Sequence, residues 1–258
     1  MFELLEGRGW SVKEINHGKT IAEQCFSDQC ENIIKILSNW SLNLENHIIK
    51  GGGGQADHTQ ELTKSFESMG WEKNRITVKN IVSFERRFKE ISINSSSHEV
   101  DHLIHGNSDS LLALEIEWNN KDEFFDRDFQ TMHRWYDLEI IDLAIIITRG
   151  PELEDQLEQL IANYFIQEEI SDVSGFDKIK KRFTDSQGNA RFSFPTVPQQ
   201  KRISKLSNRC SYANAAAKVF KSDKFGAATT NWKKLNERIE RKHAGRTPML
   251  FFGIPLIS

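Results

Sequence analysis

Glu115 and Glu117 stand two residues apart in Leu111-Leu112-Ala113-Leu114-Glu115-Ile116-Glu117-Trp118, where Leu114, Ile116 and Trp118 are apolar. Side chains alternate along a strand, so both carboxylates leave one face and Ile116 enters the other. Like charges that close repel each other, and a divalent cation is the usual compensation. Val100-Asp101-His102-Leu103-Ile104 reads as a second strand, and Gly106-Asn107-Ser108-Asp109 between the two is turn chemistry. The resulting hairpin can carry Asp101 to the same place. Three oxygen donors with room for water suit Mg²⁺, and Mn²⁺ is expected to substitute. Such an ion polarises a phosphate ester and activates water. Spacing alone leaves a second reading open, that of two surface glutamates on an exposed strand face.

His98, His102 and His105 flank Asp101. Their spacing in a strand places His98 and His102 on one face and His105 on the other, so a converging zinc set is not expected. A histidine beside the carboxylates suits a phosphate contact instead. Gly51-Gly52-Gly53-Gly54 with Gln55 could let backbone N–H groups approach a phosphate, or serve as a connector. It lacks the GK[ST] ending of a nucleotide-binding loop, so no nucleotide cofactor is expected. Lys180-Lys181-Arg182, Lys201-Arg202 and Lys233-Lys234 are candidates for sequence-independent phosphate contacts.

Several elements must position these groups. Residues 20–37 carry a loose helical stripe, and His58 to Met69 reads as a short helix with Gly70 at its end. Asp126 is expected to cap a helix with Phe129, Met132, His133 and Tyr136 at helical spacing. Ile141-Asp142-Leu143-Ala144-Ile145-Ile146-Ile147-Thr148 has the near-continuous apolar run of a strand buried on both faces. A long amphipathic helix follows Pro151, with Leu153, Leu157, Leu160, Ile161, Tyr164 and Phe165 on one side. Residues 171–210 read as an elaborated loop region, and Pro248 to Ile254 as a final strand. Phe225 and Trp232 are expected to pack rather than stack on bases. The order predicts an α/β fold, a central mixed β-sheet flanked by helices on both faces, with a basic elaborated C-terminal region. One domain is expected, made of an N-terminal helical part (1–75), a catalytic core (76–170), a basic insertion facing a polyanion (171–246) and a final core strand (247–258).

The chain of 258 residues is long enough for a full core. No apolar run approaches the roughly 20 residues of a membrane span, so no membrane partner is expected. The acidic start lacks a signal-peptide pattern, and three cysteines without a CxxC pair suggest free thiols in a reducing cytoplasm. The net charge of −3 hides an asymmetry. Residues 178–246 hold 18 Lys/Arg and 4 Asp/Glu, leaving 16 basic and 33 acidic residues elsewhere. A basic third joined to an acidic remainder suggests a polyanion-facing region, although a solvated lysine-rich surface would look the same.

Glu115-Ile116-Glu117-Trp118-Asn119-Asn120-Lys121-Asp122, then Phe125-Asp126-Arg127-Asp128, then Ile141 through Arg149, resembles the catalytic stretch of restriction endonucleases of the BglII and BamHI kind, in the PD-(D/E)xK nuclease superfamily. The similarity covers about residues 98–165, thins at 50–75, and returns at Phe225–Trp232 and in the final strand. It implies that Asp101 and Glu115 bind metal. The third position, usually lysine, is Glu117 here, as in the BamHI-like branch; the BglII-like branch carries glutamine. Whether Glu117 is a general base, a second-metal ligand or both stays open. Val100 replaces the proline that names the superfamily. In this family the loop after the catalytic strand reaches the DNA. Asn119 and Asn120 could therefore read an adenine edge or merely make a turn, and Lys121 could meet a phosphate.

The resemblance implies a sequence-specific type II endonuclease that hydrolyses double-stranded DNA with Mg²⁺. It would act as a homodimer on a palindromic site in a prokaryotic cytoplasm, leaving 5′-phosphate and 3′-hydroxyl ends. Helices 126–139 and 152–168 are candidates for the dimer interface. Two alternatives remain: a low-specificity repair or mobile-element nuclease of the same fold, and a DNA-binding protein whose acidic cluster is degenerate.

Overall fold

A computed structural model of the chain describes residues 1–50, 56–84, 89–184 and 187–256. The tetraglycine and Gln55 lie outside the described residues. Six strands form one mixed sheet: β1 (Ser11–Ile15), β2 (Glu72–Phe84), β3 (Lys89–His105), β4 (Leu111–Glu117), β5 (Leu143–Arg149) and β6 (Met249–Ile254). Their spatial order is β1-β6-β5-β4-β3-β2. The three central strands β4, β5 and β6 run parallel, and the outer strands are antiparallel to their neighbours. Every residue of β5 and β6 is buried, which is what parallel strands covered on both faces require.

Two apolar cores fill the two faces. One holds Leu112, Leu114 and Ile116 of β4, Leu143, Ile145 and Ile147 of β5, and the helices α1 (Glu3–Glu6), α2 (Gly18–Cys25), α3 (Ser27–Asn39) and α4 (Asp57–Glu67). The other holds Ala113, Ala144 and Ile146 under Phe125, Phe129, Met132 and Trp135 of α5 (Glu123–Asp137). The first core is extended by α6 (Pro151–Gln167), α7 (Phe176–Arg182), α8 (Val197–Leu206) and α9 (Tyr212–Lys224), and the second by Leu235 of α10 (Trp232–Glu240). The alternation in β4 thus directs Leu112, Leu114 and Ile116 one way and leaves Glu115 and Glu117 beneath α5.

The α/β architecture with helices on both faces matches the reading of the sequence, and several details differ. The stripe at 20–37 is broken at buried Phe26, whose non-helical φ of −137° and ψ of 34° separate α2 from α3. Strand β1 lies inside the stretch expected to be helical. Helix α5 starts at Glu123, so Asp126 sits in its first turn rather than at its cap. There it holds Arg238 (3.3 and 3.2 Å) and His243 (2.8 Å), partners more than a hundred residues away. The region 171–210 contains α7 and α8, because Phe176, Ile179, Phe192, Phe194 and Ile203 are buried anchors. Beyond the sheet, β2 and β3 continue as a two-stranded ribbon with mostly exposed side chains.

The β3–β4 hairpin that carries the acidic residues is anchored at Gly106. A Cβ there would come within 2.5 Å of the Cys25 carbonyl oxygen and 2.4 Å of the Phe26 ring. Gly106→Ala is therefore expected to cost about 1–3 kcal/mol, the usual range for overpacking, measured as a lowered midpoint in urea unfolding. An unchanged midpoint would show that the Phe26 ring yields.

Candidate active site

The β3–β4 ladder pairs His105 with Leu111 through His102 with Leu114, and stops there. One step further, side chains replace the main-chain ladder. The Ile116 N–H donates to Asp101 Oδ2 at 3.2 Å, and the Asp101 N–H donates to Glu115 Oε2 at 3.3 Å. Asp101 and Glu115 are thereby held together at the point where the two strands part. Glu115 and Glu117 are 3% and 2% exposed, while Asp101 is half-buried.

The same point marks a bulge. Between its pairings with Glu72 and Asn74, β3 carries one extra residue, from Val100 to Leu103. The extra residue reverses the side-chain phase. Hence His98 and His102, expected on one face, lie on opposite ones. His98 faces α5, edge-on to Trp135 at 5.6 Å, while His102 is buried against Phe66 at 5.0 Å on the other side. His105 is exposed.

Helix α5 adds two groups that the sequence reading left without a role. Asp128 lies on the buried stripe Phe125, Phe129, Met132, Trp135 and is fully buried. A carboxylate at an apolar helix position is the signal that could have revealed it. Arg127 reaches across to it, with Nε 2.8 Å and Nη2 2.7 Å from Asp128 Oδ1. Arg127 Nη2 also lies 3.4 Å from Glu117 Oε1, and Asn120 Nδ2 donates to Glu117 Oε2 at 2.7 Å. His98 Nε2 lies 3.0 Å from Glu115 Oε1 and 4.0 Å from Asp128 Oδ1.

Four carboxylates thus share a pocket with one guanidinium. Burial, reinforced by Asp101, Asp128 and Glu117, pushes Glu115 well above the ordinary glutamate range. Burial and then Asp128 push Glu117 up to about 9. Burial also raises Asp128, against the pull of Arg127. Burial, then Arg127, lowers His98, favouring the neutral imidazole. Without a cation this arrangement favours the protonated acids, and a divalent ion with oxygen ligands would displace those protons and compensate the charge. Among the described residues, the set of three donors whose atoms all lie within 4.8 Å of one another is His98, Glu115 and Asp128.

The loop after β4 is tied to the rest of the protein by Arg149. This guanidinium, fully buried at the end of β5, donates to the Trp118 carbonyl (3.1 Å), Asn119 Oδ1 (3.1 Å), Thr229 Oγ1 (2.9 Å) and Glu154 Oε2 (3.0 Å). Burial lowers it to about 10. Lys121 bridges Thr229 in the main chain, and the Asp122 and Thr230 N–H groups donate to the Ala228 and Asn120 carbonyls. So the Asn119-Asn120 loop and the Phe225–Trp232 segment form one unit. Arg149→Met would strand these acceptors and Glu154, and is expected to destabilise the chain by about 3–5 kcal/mol, read from the urea midpoint. A loss under 1 kcal/mol would mean that the loops hold without it.

The candidate phosphate contacts are dispersed. Arg182 is engaged with Glu45 and Glu168, Arg202 with Asp223, Lys180 with Asp177, and Lys234 with Asp122 and Glu237. Lys181, Lys201 and Lys233 are exposed, as is Lys121, which lies 3.6 Å from Glu123. Phe225 is buried edge-on to Trp118 at 6.2 Å. Among the described residues no helix is long and apolar enough to cross a membrane.

In comparisons with known proteins, no curated protein matches the chain. Residues 10–254 match the family model described as restriction endonuclease BglII/BglIII, almost the whole chain and every strand of the sheet, and the protein belongs to that family of restriction endonucleases.

Proposed function

We propose that the enzyme hydrolyses double-stranded DNA at a specific sequence with Mg²⁺, held by Asp101, Glu115 and Glu117. The observation that carries this reading is the convergence of buried carboxylates where β3 and β4 separate, with Arg127 as the facing guanidinium. Hard oxygen donors suit Mg²⁺, and Mn²⁺ would substitute. When bound, the ion supplies Lewis acidity toward the scissile phosphate and makes water more acidic.

The chain's own groups supply the rest. Asp101 is oriented by the Ile116 N–H, and Glu117 is oriented by Asn120 and Arg127. Glu117, the more isolated from Asp101, would be suited to take a proton from the attacking water once a bound cation has displaced its own. In-line attack would leave 5′-phosphate and 3′-hydroxyl ends. Arg127, half-exposed and already turned toward the carboxylates, is placed to meet phosphate charge. Lys121, Lys181, Lys201 and Lys233 are candidates for backbone phosphates. Asn119 and Asn120 begin the loop that would approach base edges, although the oxygen of one holds Arg149 and the amide of the other holds Glu117. A homodimer would match a palindromic site. Leu138 and Ile166, exposed at the ends of α5 and α6, support those helices as its interface.

The test is digestion of phage-length DNA by the purified protein in Mg²⁺, with an EDTA control. Discrete bands that vanish with EDTA are expected. A smear would favour a low-specificity nuclease, and intact DNA in both Mg²⁺ and Mn²⁺ would sink the reading.

A further inference from the structure

We propose that His98, Glu115 and Asp128 form a cation position of mixed nitrogen and oxygen donors that takes a transition-series divalent ion in preference to Mg²⁺. The inference rests on the nuclease reading of the acidic cluster and deepens it, since this donor set meets the Asp101–Glu115–Glu117 set at Glu115.

Geometry is the first support. Cation–ligand bonds of about 2.0–2.1 Å put neighbouring octahedral donors about 3 Å apart and opposite ones about 4 Å apart. His98 Nε2 stands 3.0 Å from Glu115 Oε1 and 4.0 Å from Asp128 Oδ1. All three donors lie within 4.8 Å of one another.

An orphaned atom is the second. Asp128 is fully buried, its Oδ2 accepts from no amide, guanidinium or hydroxyl among the described residues, and its carboxyl lies within hydrogen-bond reach of the Glu117 carboxyl. A buried carboxylate oxygen left unsatisfied is costly, and here it stands beside Glu115, Glu117 and Asp101. Its other oxygen is neutralised by Arg127. That guanidinium is 45% exposed on its side chain, so it can leave toward solvent or phosphate when a cation replaces its charge.

Donor chemistry decides the ion. Carboxylates alone suit Mg²⁺, whereas an imidazole nitrogen favours later first-row ions in the order Mn²⁺ < Co²⁺ < Ni²⁺. The β3 bulge is what brings that nitrogen to the carboxylates, and α5 delivers the second oxygen ligand on its otherwise apolar stripe.

The experiment uses the full chain without DNA. Calorimetric titrations with Co²⁺ and with Mg²⁺ are compared for the wild type, His98→Asn, Asp128→Asn and Glu115→Gln, each checked for folding by circular dichroism. Pulsed electron paramagnetic resonance of the Mn²⁺-loaded wild type reads imidazole ¹⁴N coupling directly. We expect Co²⁺ to bind at least about tenfold more tightly than Mg²⁺. His98→Asn should erase that preference and the ¹⁴N coupling, and Asp128→Asn should weaken Co²⁺ by about tenfold or more. A wild-type spectrum without ¹⁴N coupling overturns the proposal, even if a variant fails to fold. So does Co²⁺ affinity within twofold of wild type in both His98→Asn and Asp128→Asn. If Glu115→Gln alone loses metal, the nuclease reading stands and this inference falls. If the wild type takes up neither ion and leaves phage DNA intact, both fall.

Discussion

Glu115→Gln is expected to lower cleavage of phage-length DNA by at least about a thousandfold and, in the same variant, to raise the melting temperature of the metal-free chain. Both effects follow from one feature. Glu115 is buried with Asp101, Asp128 and Glu117 around it, and among the described residues its side-chain ion-pair partner is His98. Glutamine keeps the shape and removes a negative ligand. Lewis-acid stabilisation of a transition state is worth several kcal/mol, and about 4 kcal/mol is a thousandfold in rate. The stabilising half of the result follows because, above the ordinary glutamate range, folding must return a proton to a carboxyl that burial and its acidic neighbours push well upward, a cost glutamine does not carry. Single-turnover cleavage in Mg²⁺ and thermal melting in EDTA check the two halves separately. Cleavage within tenfold of wild type would remove Glu115 from the chemistry. A lower melting temperature would mean that its contacts with His98 and Asp101 outweigh the repulsion.

The second large effect is on pH. Glu117 moves from about the ordinary 4.5 up to about 9 in the folded chain, through burial and then Asp128. A carboxyl raised on folding binds a proton that the unfolded chain has already lost, so its contribution is full below 4.5 and disappears as pH rises through 9. In EDTA the melting temperature should therefore fall across that window. The slope is about 1.4 kcal/mol per pH unit for one proton, or roughly 3 °C for a chain this size. A divalent ion should reverse the trend, because it competes with protons for the same oxygens. The stabilisation by Mg²⁺ should thus grow with pH. Glu117→Gln should make the slope in EDTA shallower, with the raised Glu115 and Asp128 keeping part of it. A melting temperature that stays level from pH 6 to pH 9 in EDTA would show that Arg127 and Asn120 already balance the Glu117 charge.

The outline of the candidate site was legible in the sequence because its pattern is local. Two glutamates at strand spacing must share a face, and Leu114 and Ile116 must take the other, whatever the rest of the chain does. The strands at β5 and β6 and the helix after Pro151 were equally readable, since each is a long run with a single period. Regions with mixed periods were not. The break at Phe26, the strand β1 and the helices α7 and α8 depend on which apolar residues find a core. The phenylalanines at 176, 192 and 194 became anchors only by packing against α6 and α9.

What the sequence by itself determined is an α/β chain with a carboxylate pair on one face of a buried strand, an acid on the adjoining strand and a basic final third. The tertiary structure alone decided how that pair is completed. One extra residue in β3 turns His98 toward Glu115 and His102 away from it, a reversal that strict alternation excludes and only pairing with β2 creates. Asp128 joins from α5 because the helix crosses the carboxylate face of β4. Arg149 turns inward because the Trp118 carbonyl and Thr229 are brought to it across the fold, and Arg182 is held at the surface by Glu45, likewise distant in the chain. Periodicity is set between near neighbours and can be read from them. Charge pairing and strand register are set by residues far apart in the chain, and exist only once the core has closed.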